Sequence, residues 1–254
     1  MTPPPVPEPV IDVQDVWKSF AGFPVLKGVN LKILEGTTCV ILGASGSGKT
    51  VLMKHIMGLF KPDSGRVIVD GEDISAMSRQ QLAVFRQRMG MVFQSSALFD
   101  SMTVGDNVAF PLREHNPGLS EAEIQQKVKE KLALVELHGV EQKFPAELSG
   151  GMRKRVGLAR AVIRDPKIVL YDEPTTGLDP LTTESVDEMI IHARERLSVT
   201  SVVISHDIGS AFHIGDRIAV INEGRIVEEG TPAQVRKTKE PFTQHFLAMW
   251  FGRA

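Results

Sequence analysis

The chain has 254 residues, of which 42% are hydrophobic and 24% charged, and its 29 basic and 31 acidic side chains give a formal charge of −2. This composition is typical of a globular protein with one or two domains and excludes a strongly basic nucleic-acid-binding chain. The single cysteine, Cys39, excludes a disulfide scaffold and a cysteine-ligated metal cluster. Because the sequence has no membrane-spanning apolar run and no secretory signal pattern, we expect a cytoplasmic protein.

Strand-like and helix-like segments alternate after a proline-rich start, which we expect to be an extended tail over residues 1–9. Short β-branched segments predict strands at 10–16, 38–42, 66–70, 89–94, 167–173 and 200–206, and a hairpin at 219–230. Helices are predicted at 120–137, with the capping box Ser120–Glu123, and at 182–197, after Asp179. This alternation predicts an α/β fold with a mainly parallel sheet.

Residues 96–164 interrupt the alternation, because they are rich in helical patterns and contain no convincing strand. We therefore predict a helical subdomain inserted into an α/β core of about residues 10–95 and 165–230. The apolar segment 246–251 is either the buried face of a docked helix or a partner-binding patch, and residues 248–254 are expected to form a short C-terminal tail.

The strongest motif is a phosphate-binding loop between the predicted strand 38–42 and a predicted helix at 50–59. Backbone N–H groups of such a loop surround phosphate oxygens, the lysine places a charge at the terminal phosphates, and the last hydroxyl can ligate Mg²⁺. The alternative is a glycine-rich turn that binds nothing, which the lysine–threonine pair and the following helix argue against. The loop consists of Gly43, Ala44, Ser45, Gly46, Ser47, Gly48, Lys49 and Thr50.

Two acidic residues, Asp172 and Glu173, stand at the end of the predicted strand 167–173. Asp172 is placed to hold the hydration shell of Mg²⁺, and Glu173 could polarise an attacking water. Acidic strand ends are also common for structural reasons, but a phosphate loop in the same chain favours the catalytic interpretation.

A second phosphate-ready helix start follows Leu148, where Ser149, Gly150 and Gly151 begin a strongly basic helix. A serine–glycine–glycine sequence alone would be only a helix cap. Two such helix ends in one chain fit a nucleotide site completed by a second copy of the chain. The helix is predicted to bury Met152, Val156, Ala159 and Ile163.

From about residue 10 to 247 these motifs resemble the ATP-binding subunits of ABC transporters. The resemblance implies the ABC ATPase fold, a RecA-like P-loop NTPase core with an inserted helical subdomain, and an ATP hydrolase that uses ATP and Mg²⁺. It also implies a head-to-tail dimer that sandwiches two ATP molecules between Walker A loops and signatures. The matching positions are Phe20 for the adenine-stacking aromatic, Gln94 for the Q-loop, Leu148 to Met152 for the signature, Asp179 for the D-loop and His206 for the switch histidine.

By this resemblance Lys49, Gln94, Glu173 and His206 are catalytic, and Thr50, Gln94 and Asp172 are the candidate Mg²⁺ ligands. Taken singly, Phe20 would more often be a core residue and His206 a strand-end histidine. The signature is LSGGM here, where the family usually has LSGGQ.

Residues 98–115, 148–161 and 171–180 resemble the ATPases of Mla-type phospholipid transport systems, which are associated with MCE proteins. This implies an integral membrane permease, an MCE-domain protein and, in some systems, a small regulatory subunit, at the cytoplasmic face of the bacterial inner membrane. Only seven residues follow Leu247, so we expect no extended cross-subunit tail. Close ancestry alone would explain the same stretches, and an importer for amino acids or another small solute is the alternative.

Two rival classes do not fit the spacing of the motifs. DNA-repair and chromosome-organising ABC ATPases carry long insertions before the signature, but only 54 residues separate Gln94 from Ser149. A tandem translation-factor ATPase needs two phosphate loops, and this chain has one. We therefore expect no nucleic-acid partner.

Overall fold

The computed structural model describes residues 9–252, which divide into two compact units. The first unit comprises residues up to 86 together with those from 215 onward, and the second comprises residues 87–214. Both units contain strands and helices, which confirms the predicted α/β fold. The predicted tail over residues 1–9 lies outside the described residues except for Pro9, which begins the first strand.

Ten strands and nine α-helices lie within the described residues. In chain order the strands are β1 (Pro9–Phe20), β2 (Phe23–Leu34), β3 (Thr38–Leu42), β4 (Ser64–Val69), β5 (Glu72–Asp73), β6 (Met89–Val92), β7 (Ile168–Asp172), β8 (Thr200–Ser205), β9 (Arg217–Asn222) and β10 (Arg225–Gly230). The helices are α1 (Lys49–Ile56), α2 (Arg79–Arg86), α3 (Val104–His115), α4 (Glu121–Leu134), α5 (Gly150–Ala161), α6 (Pro180–Leu197), α7 (Ile208–Ile214), α8 (Pro232–Val235) and α9 (Pro241–Phe251). None of these helices is long and apolar enough to cross a membrane.

The first unit contains two groups of paired strands. In one group β1 pairs antiparallel with both β2 and β4, and β5 pairs with β4. In the other, β3 pairs in parallel with β9, which pairs antiparallel with β10. The β9–β10 turn has positive φ at both Glu223 (46°) and Gly224 (80°), the combination that two-residue hairpins favour, so the predicted hairpin is confirmed.

Strand β2 is absent from the sequence prediction, which left residues 23–34 unassigned. Its second half alternates buried Val29, Leu31 and Ile33 with more exposed residues, which is the pattern of a strand with one buried face. The same unit confirms that Cys39 acts as a small apolar residue, because it is fully buried in β3 and burial raises the pKa of its thiol to about 12.

The second unit has a parallel core in which β7 pairs with β6 on one side and β8 on the other. All six residues of β8 and the first four of β7 are buried. Both faces of these strands are therefore covered, and their sequences are continuous runs of apolar or small residues with no alternation. The carboxyl ends of parallel strands meet at one edge of a sheet, which is where α/β proteins bind ligands. Residues that follow β7 and β8 therefore lie at a common edge.

Helices α4 and α6 confirm the two capped helices predicted from sequence. Ser120 and Glu123 form both hydrogen bonds of a capping box at α4, and the Asp179 carboxylate accepts from Thr182 N–H at α6. The prediction for α5 is wrong in one respect: Met152 is only half-buried, and Lys154 is buried on this helix.

The prediction that residues 96–164 form a separate helical subdomain stays a prediction. Residues 96–164 contain helices and, within the described structure, no strand, but the division into two units falls elsewhere, after residues 86 and 214. In α9, Phe246 and Leu247 are buried, which favours the docked-helix interpretation of this segment. Residues 248–251 extend that helix instead of starting a tail. Glu240 caps the N-terminus of the helix, and at its C-terminus the Gly252 N–H still donates to the Ala248 carbonyl.

Asp187 gives α6 a pH-dependent term in stability, because its carboxyl is only 3% exposed. Burial raises its pKa to about 6, against the lowering effects of Ser210 and His213, and with Asp207 and Glu188 as further acidic neighbours. The folded-state pKa lies above the unfolded value, so ionisation of Asp187 destabilises the fold as pH rises from about 4 to about 6, and the penalty persists above that.

We expect Asp187→Asn to be more stable than the parent chain at about pH 7.5, by roughly 2–3 kcal/mol, because the amide carries no charge to bury. At about pH 4 the difference should disappear, since the carboxyl is then protonated in the folded state. Urea unfolding at the two pH values measures both quantities, and equal differences at both would contradict this assignment of the pKa.

Candidate functional site

The phosphate loop lies in the first unit, between β3 and α1, where three glycines give it its shape. Gly46 and Gly48 have φ of 78° and 109°, which favour glycine. A Cβ at Gly43 would lie 2.4 Å from the Ile221 carbonyl oxygen, and at Gly48 it would lie 3.1 Å from a Leu26 methyl carbon. Larger residues would therefore force this backbone apart.

Lys49 begins α1 and is buried, with 6% of its surface exposed. Its ammonium group donates to the Gly43 carbonyl at 2.8 Å and to the Ala44 carbonyl at 3.1 Å. The lysine side chain therefore folds back onto the start of the loop, and its positive charge lies beside the first two carbonyls of the loop.

Two features of this loop fit a bound phosphate. Helix α1 has Gly48 as its N-cap and so has no side-chain cap for its first N–H groups, whereas Ser149 and Asp179 cap α5 and α6. The Ser47 hydroxyl is buried without a hydrogen-bond partner among the described residues. Uncapped N–H groups at a helix start and an unpaired buried hydroxyl are donors that phosphate oxygens satisfy.

Phe20 ends β1 in the same unit and is 38% exposed, so it is not a core residue. Its ring makes an edge-type contact with Phe60, with 5.3 Å between the ring centroids, and the Lys18 ammonium lies over it, 5.6 Å from its centre. A partly exposed ring that is held by its neighbours is suited to stacking on a planar base. The geometry favours the predicted adenine contact.

We expect Phe20→Ala to weaken ATP binding by about 1–3 kcal/mol, the range for loss of an aromatic–base stack. Phe23→Ala is the matched control, because Phe23 pairs with Phe20 across the hairpin and is 76% exposed. Calorimetric titration with ATP should separate the two variants, and equal affinities would return Phe20 to a purely structural role.

The second unit brings Glu173 and His206 together at the edge of its parallel strands. Glu173 follows β7, has φ of 49°, and donates its N–H to the Ile204 carbonyl at 3.0 Å. Its Oε2 accepts from His206 Nδ1 at 2.7 Å and from the Thr176 hydroxyl at 3.1 Å. Since an ionised carboxylate only accepts, Nδ1 carries the proton in this contact, and in the neutral imidazole Nε2 is then the acceptor.

Asp172, one residue earlier, ends β7 at the same edge. Its carboxylate is an oxygen ligand of the kind that Mg²⁺ takes in small number beside phosphate oxygens and water. The described residues contain no group of three or more His, Cys, Asp or Glu that could hold a metal ion by itself. A Mg²⁺ that shares its ligands with a nucleotide needs no such group, so Asp172 fits this role.

The predicted signature and D-loop residues lie together, also in the second unit, along an open cavity of about 860 Å³. Ser149 caps α5 by accepting from Met152 N–H at 3.3 Å, and a Cβ at Gly151 would lie 3.3 Å from the Thr182 methyl of α6. Asp179 caps α6, and its hydrogen bonds from Thr182 hold its pKa below the usual range. Two helix N-termini therefore face this cavity.

Sequence reasoning missed several residues that hold this arrangement. Arg155 on α5 donates to the Val135 carbonyl, to Glu136 at 2.8 Å and to the Ser185 hydroxyl at 2.7 Å, which ties the signature helix to α6. Thr176 is a second example, because only the structure shows its contact with Glu173. The sequence signal that could have identified Arg155 as a structural link is its position, since it is a basic residue about one helical turn beyond the signature.

Gln94 follows β6, and its side chain is exposed. Its backbone carbonyl accepts a hydrogen bond from Lys154 Nζ on α5. The loop residues Gly43 to Thr50 and Phe20 belong to the first unit, whereas Gln94, the signature, Asp172, Glu173, Asp179 and His206 belong to the second.

Comparison with known proteins identifies relatives with several cargoes. A family model described as ABC transporter matches residues 26–176. The chain is 42% identical over 237 residues to the probable ribonucleotide transport ATP-binding protein mkl of Mycobacterium tuberculosis, covering 93% of this chain and 66% of that protein, or about two thirds of its length. It is 42% identical to the methionine import ATP-binding protein MetN of Caulobacter vibrioides, over 89% of this chain and 68% of that one. It is 41% identical to the intermembrane phospholipid transport system ATP-binding protein MlaF of Haemophilus influenzae, over 88% and 84%.

Solved structures with a similar fold include cbiO1 of Clostridium perfringens, described as part of the transporter complex cbiONQ. It matches with a TM-score of 0.85 and 30% identity over 97% of both chains. The cassette MJ0796, solved as a dimer in a post-hydrolysis state with ADP and Pi, matches with a TM-score of 0.77 and 32% identity, over 87% of this chain and 98% of that one.

Proposed function

This chain belongs to the ABC transporter family, and from that premise we propose that it is the subunit that energises phospholipid transport through an integral membrane permease. Membership in the family makes it an ATP hydrolase with ATP and Mg²⁺ as its cofactors. ABC ATPases dimerise and work with membrane permeases, and the solved relatives include a dimer and a component of a transporter complex.

The contact between Glu173 and His206 is the observation that carries the catalytic assignment. In this proposal Glu173 accepts a proton from the attacking water, and His206 orients that water through its Nε2. Lys49 and the N–H groups of the loop would bind the transferring phosphoryl group. Thr50, Asp172 and Gln94 are the proposed ligands of Mg²⁺, which when bound would supply positive charge to the phosphate oxygens.

The proposed dimer is head to tail, so that Ser149 to Gly151 of one subunit close the nucleotide bound to the phosphate loop of the other. Its support is the cavity of about 860 Å³ that the signature and the D-loop line together. Of the two helix ends there, α5 begins with Ser149, Gly150 and Gly151, whose small side chains leave its first turn accessible to a phosphate, whereas the Asp179 carboxylate already caps α6.

Phospholipid is the proposed cargo because the relative MlaF is 41% identical and the stretches 98–115, 148–161 and 171–180 resemble Mla-type ATPases. This extends the proposal to an MCE-domain protein in the same complex, with this chain at the cytoplasmic face of a bacterial inner membrane. The relative MetN, at 42% identity, favours a second candidate, the import of an amino acid.

The test is to purify the intact complex from native membranes through a tag on this chain and to identify what copurifies by mass spectrometry. We expect phospholipid together with a permease and an MCE-domain protein. A complex with a periplasmic solute-binding protein, whose ATPase is stimulated by an amino acid and not by lipid, would replace the phospholipid proposal by the importer.

A further inference from the structure

Two cationic side chains of the signature helix α5 hold the backbone that follows β6. Lys154 Nζ donates to the Gln94 carbonyl. Arg160 Nη2 donates to the Ser96 carbonyl at 2.7 Å, and its Nη1 donates to the Ala97 carbonyl at 2.8 Å. Three of four consecutive carbonyls are therefore bonded to one helix.

The backbone between these contacts has an unfavourable conformation. Ser96 and Ala97 have φ of 63° and 47°, in the left-handed region that non-glycine residues avoid. Ser96 is buried, and Gly157 on α5 allows the close approach, since a Cβ there would lie 3.3 Å from the Ser96 Cβ. Such a conformation persists only when its surroundings hold it, and here the surroundings are α5.

The two cations are not part of ordinary ion pairs. Neither Lys154 nor Arg160 pairs with a carboxylate among the described residues, and burial lowers the pKa of both groups. Lys154 is buried, and a buried charge without a counter-ion is costly, so an apolar residue would pack its space more favourably. Arg160 is half-buried and also lies over the Phe99 ring, 5.8 Å from its centre. Stability alone is therefore a weak reason for a lysine at position 154.

We propose that Lys154 and Arg160 form a carbonyl clamp that makes the position of Gln94 follow the position of the signature helix. The clamp comprises Lys154, Arg160 and the carbonyls of residues 94, 96 and 97. The N-terminus of α5 carries Ser149 to Gly151, so a displacement of that end when a phosphate binds is passed to Gln94. Both cations are positioning residues, and this role rests on the proposed function of Gln94 and the signature.

The first arm of the test is kinetic and uses Lys154→Met in the purified complex. We expect kcat for ATP to fall by about 10-fold with KM changed by less than about 2-fold, because the variant misplaces Gln94 without touching ATP. Lys154→Arg, which keeps a donor, should recover most of the rate. In a Gln94→Ala background Lys154→Met should have little further effect, since residues that act through one another are not additive.

Lys131→Met is the matched control for loss of a partly buried lysine in the same unit. Lys131 on α4 is 12% exposed and bonds to Asp165, away from Gln94. Lys131→Met should lower kcat only slightly, and in a Gln94→Ala background it should lower kcat by the same small factor, as expected for two independent sites. If the effects of Lys154→Met and Gln94→Ala also multiply, the clamp does not act through Gln94 and the proposal is wrong.

The second arm does not depend on hydrolysis and measures deuterium exchange of the amides at residues 94–98. Lys154→Met, and Arg160→Lys, which keeps the charge but loses the planar fork of N–H donors that reaches residues 96 and 97, should speed this exchange by about 10-fold or more. Exchange at the parent rate in both variants would overturn the clamp. Failure of the proposed function would show separately, as ATP hydrolysis by the parent complex that does not need Glu173.

Discussion

Glu173→Gln is expected to lower the rate of ATP hydrolysis by about 10²-fold or more while ATP still binds, because an amide cannot accept the proton of the attacking water. The substitution preserves the shape of the side chain, and the amide oxygen can still accept from His206 Nδ1, whose distance to Oε2 is 2.7 Å in the parent. The loss should therefore appear in kcat and leave the dissociation constant of ATP nearly unchanged. Single-turnover hydrolysis and equilibrium binding measure the two quantities.

Glu188→Gln provides a control with the same chemistry at a different place. Glu188 on α6 also pairs with a histidine, His213, at 3.1 Å, but that pair lies between two helices and not at the strand edge. We expect its turnover to stay within about 2-fold of the parent, since exposed pairs contribute little to structure. Near-normal hydrolysis by Glu173→Gln, or an equal loss in both variants, would remove Glu173 from the role of general base.

The features that were predicted well from the sequence depend on residues that lie close together along the chain. The phosphate loop, the capping box of α4 and the Asp179 cap of α6 depend on spacings of a few residues, and the structure has each of them at its predicted position. The contact between Glu173 and His206 joins residues 33 apart and was not predicted, although both residues were assigned as catalytic by resemblance; it arises because each residue follows one of two neighbouring parallel strands.

The features that sequence missed depend on partners far along the chain. Strand β2 is stabilised by pairing with β1. Within β2, a glycine (Gly28) and two lysines (Lys27 and Lys32) have low strand propensity, so the local sequence gives only a weak signal for a strand. The burial of Lys154 could not be predicted from periodicity, which favoured Met152, because the carbonyl that holds it lies 60 residues earlier. Lysines are almost never buried unless they are paired. The partner here is a backbone carbonyl, and because every residue has one, the amino-acid sequence does not show which carbonyl will pair with the lysine.

A mixed dimer tests whether each nucleotide is held by two subunits. Lys49→Ala removes the charge from the phosphate loop, and Ser149→Arg removes the cap of α5 and fills the cavity in front of it. In a head-to-tail dimer, placing one substitution on each subunit puts both lesions at the same nucleotide and leaves the other site whole. Placing both on one subunit damages both sites.

We therefore expect the first arrangement to bind about one ATP per dimer and the second to bind almost none at the same concentration. In the second arrangement one site loses the charged contact of Lys49 to phosphate, and the arginine side chain blocks the other. Covalently linked dimers keep the arrangements from exchanging, and binding of labelled ATP counts the occupied sites. A linked dimer carrying Lys49→Ala on both subunits sets the level for two damaged loops. Equal occupancy of the two mixed arrangements would mean that each subunit binds ATP by itself, and the head-to-tail site would then be wrong even if hydrolysis still required Glu173.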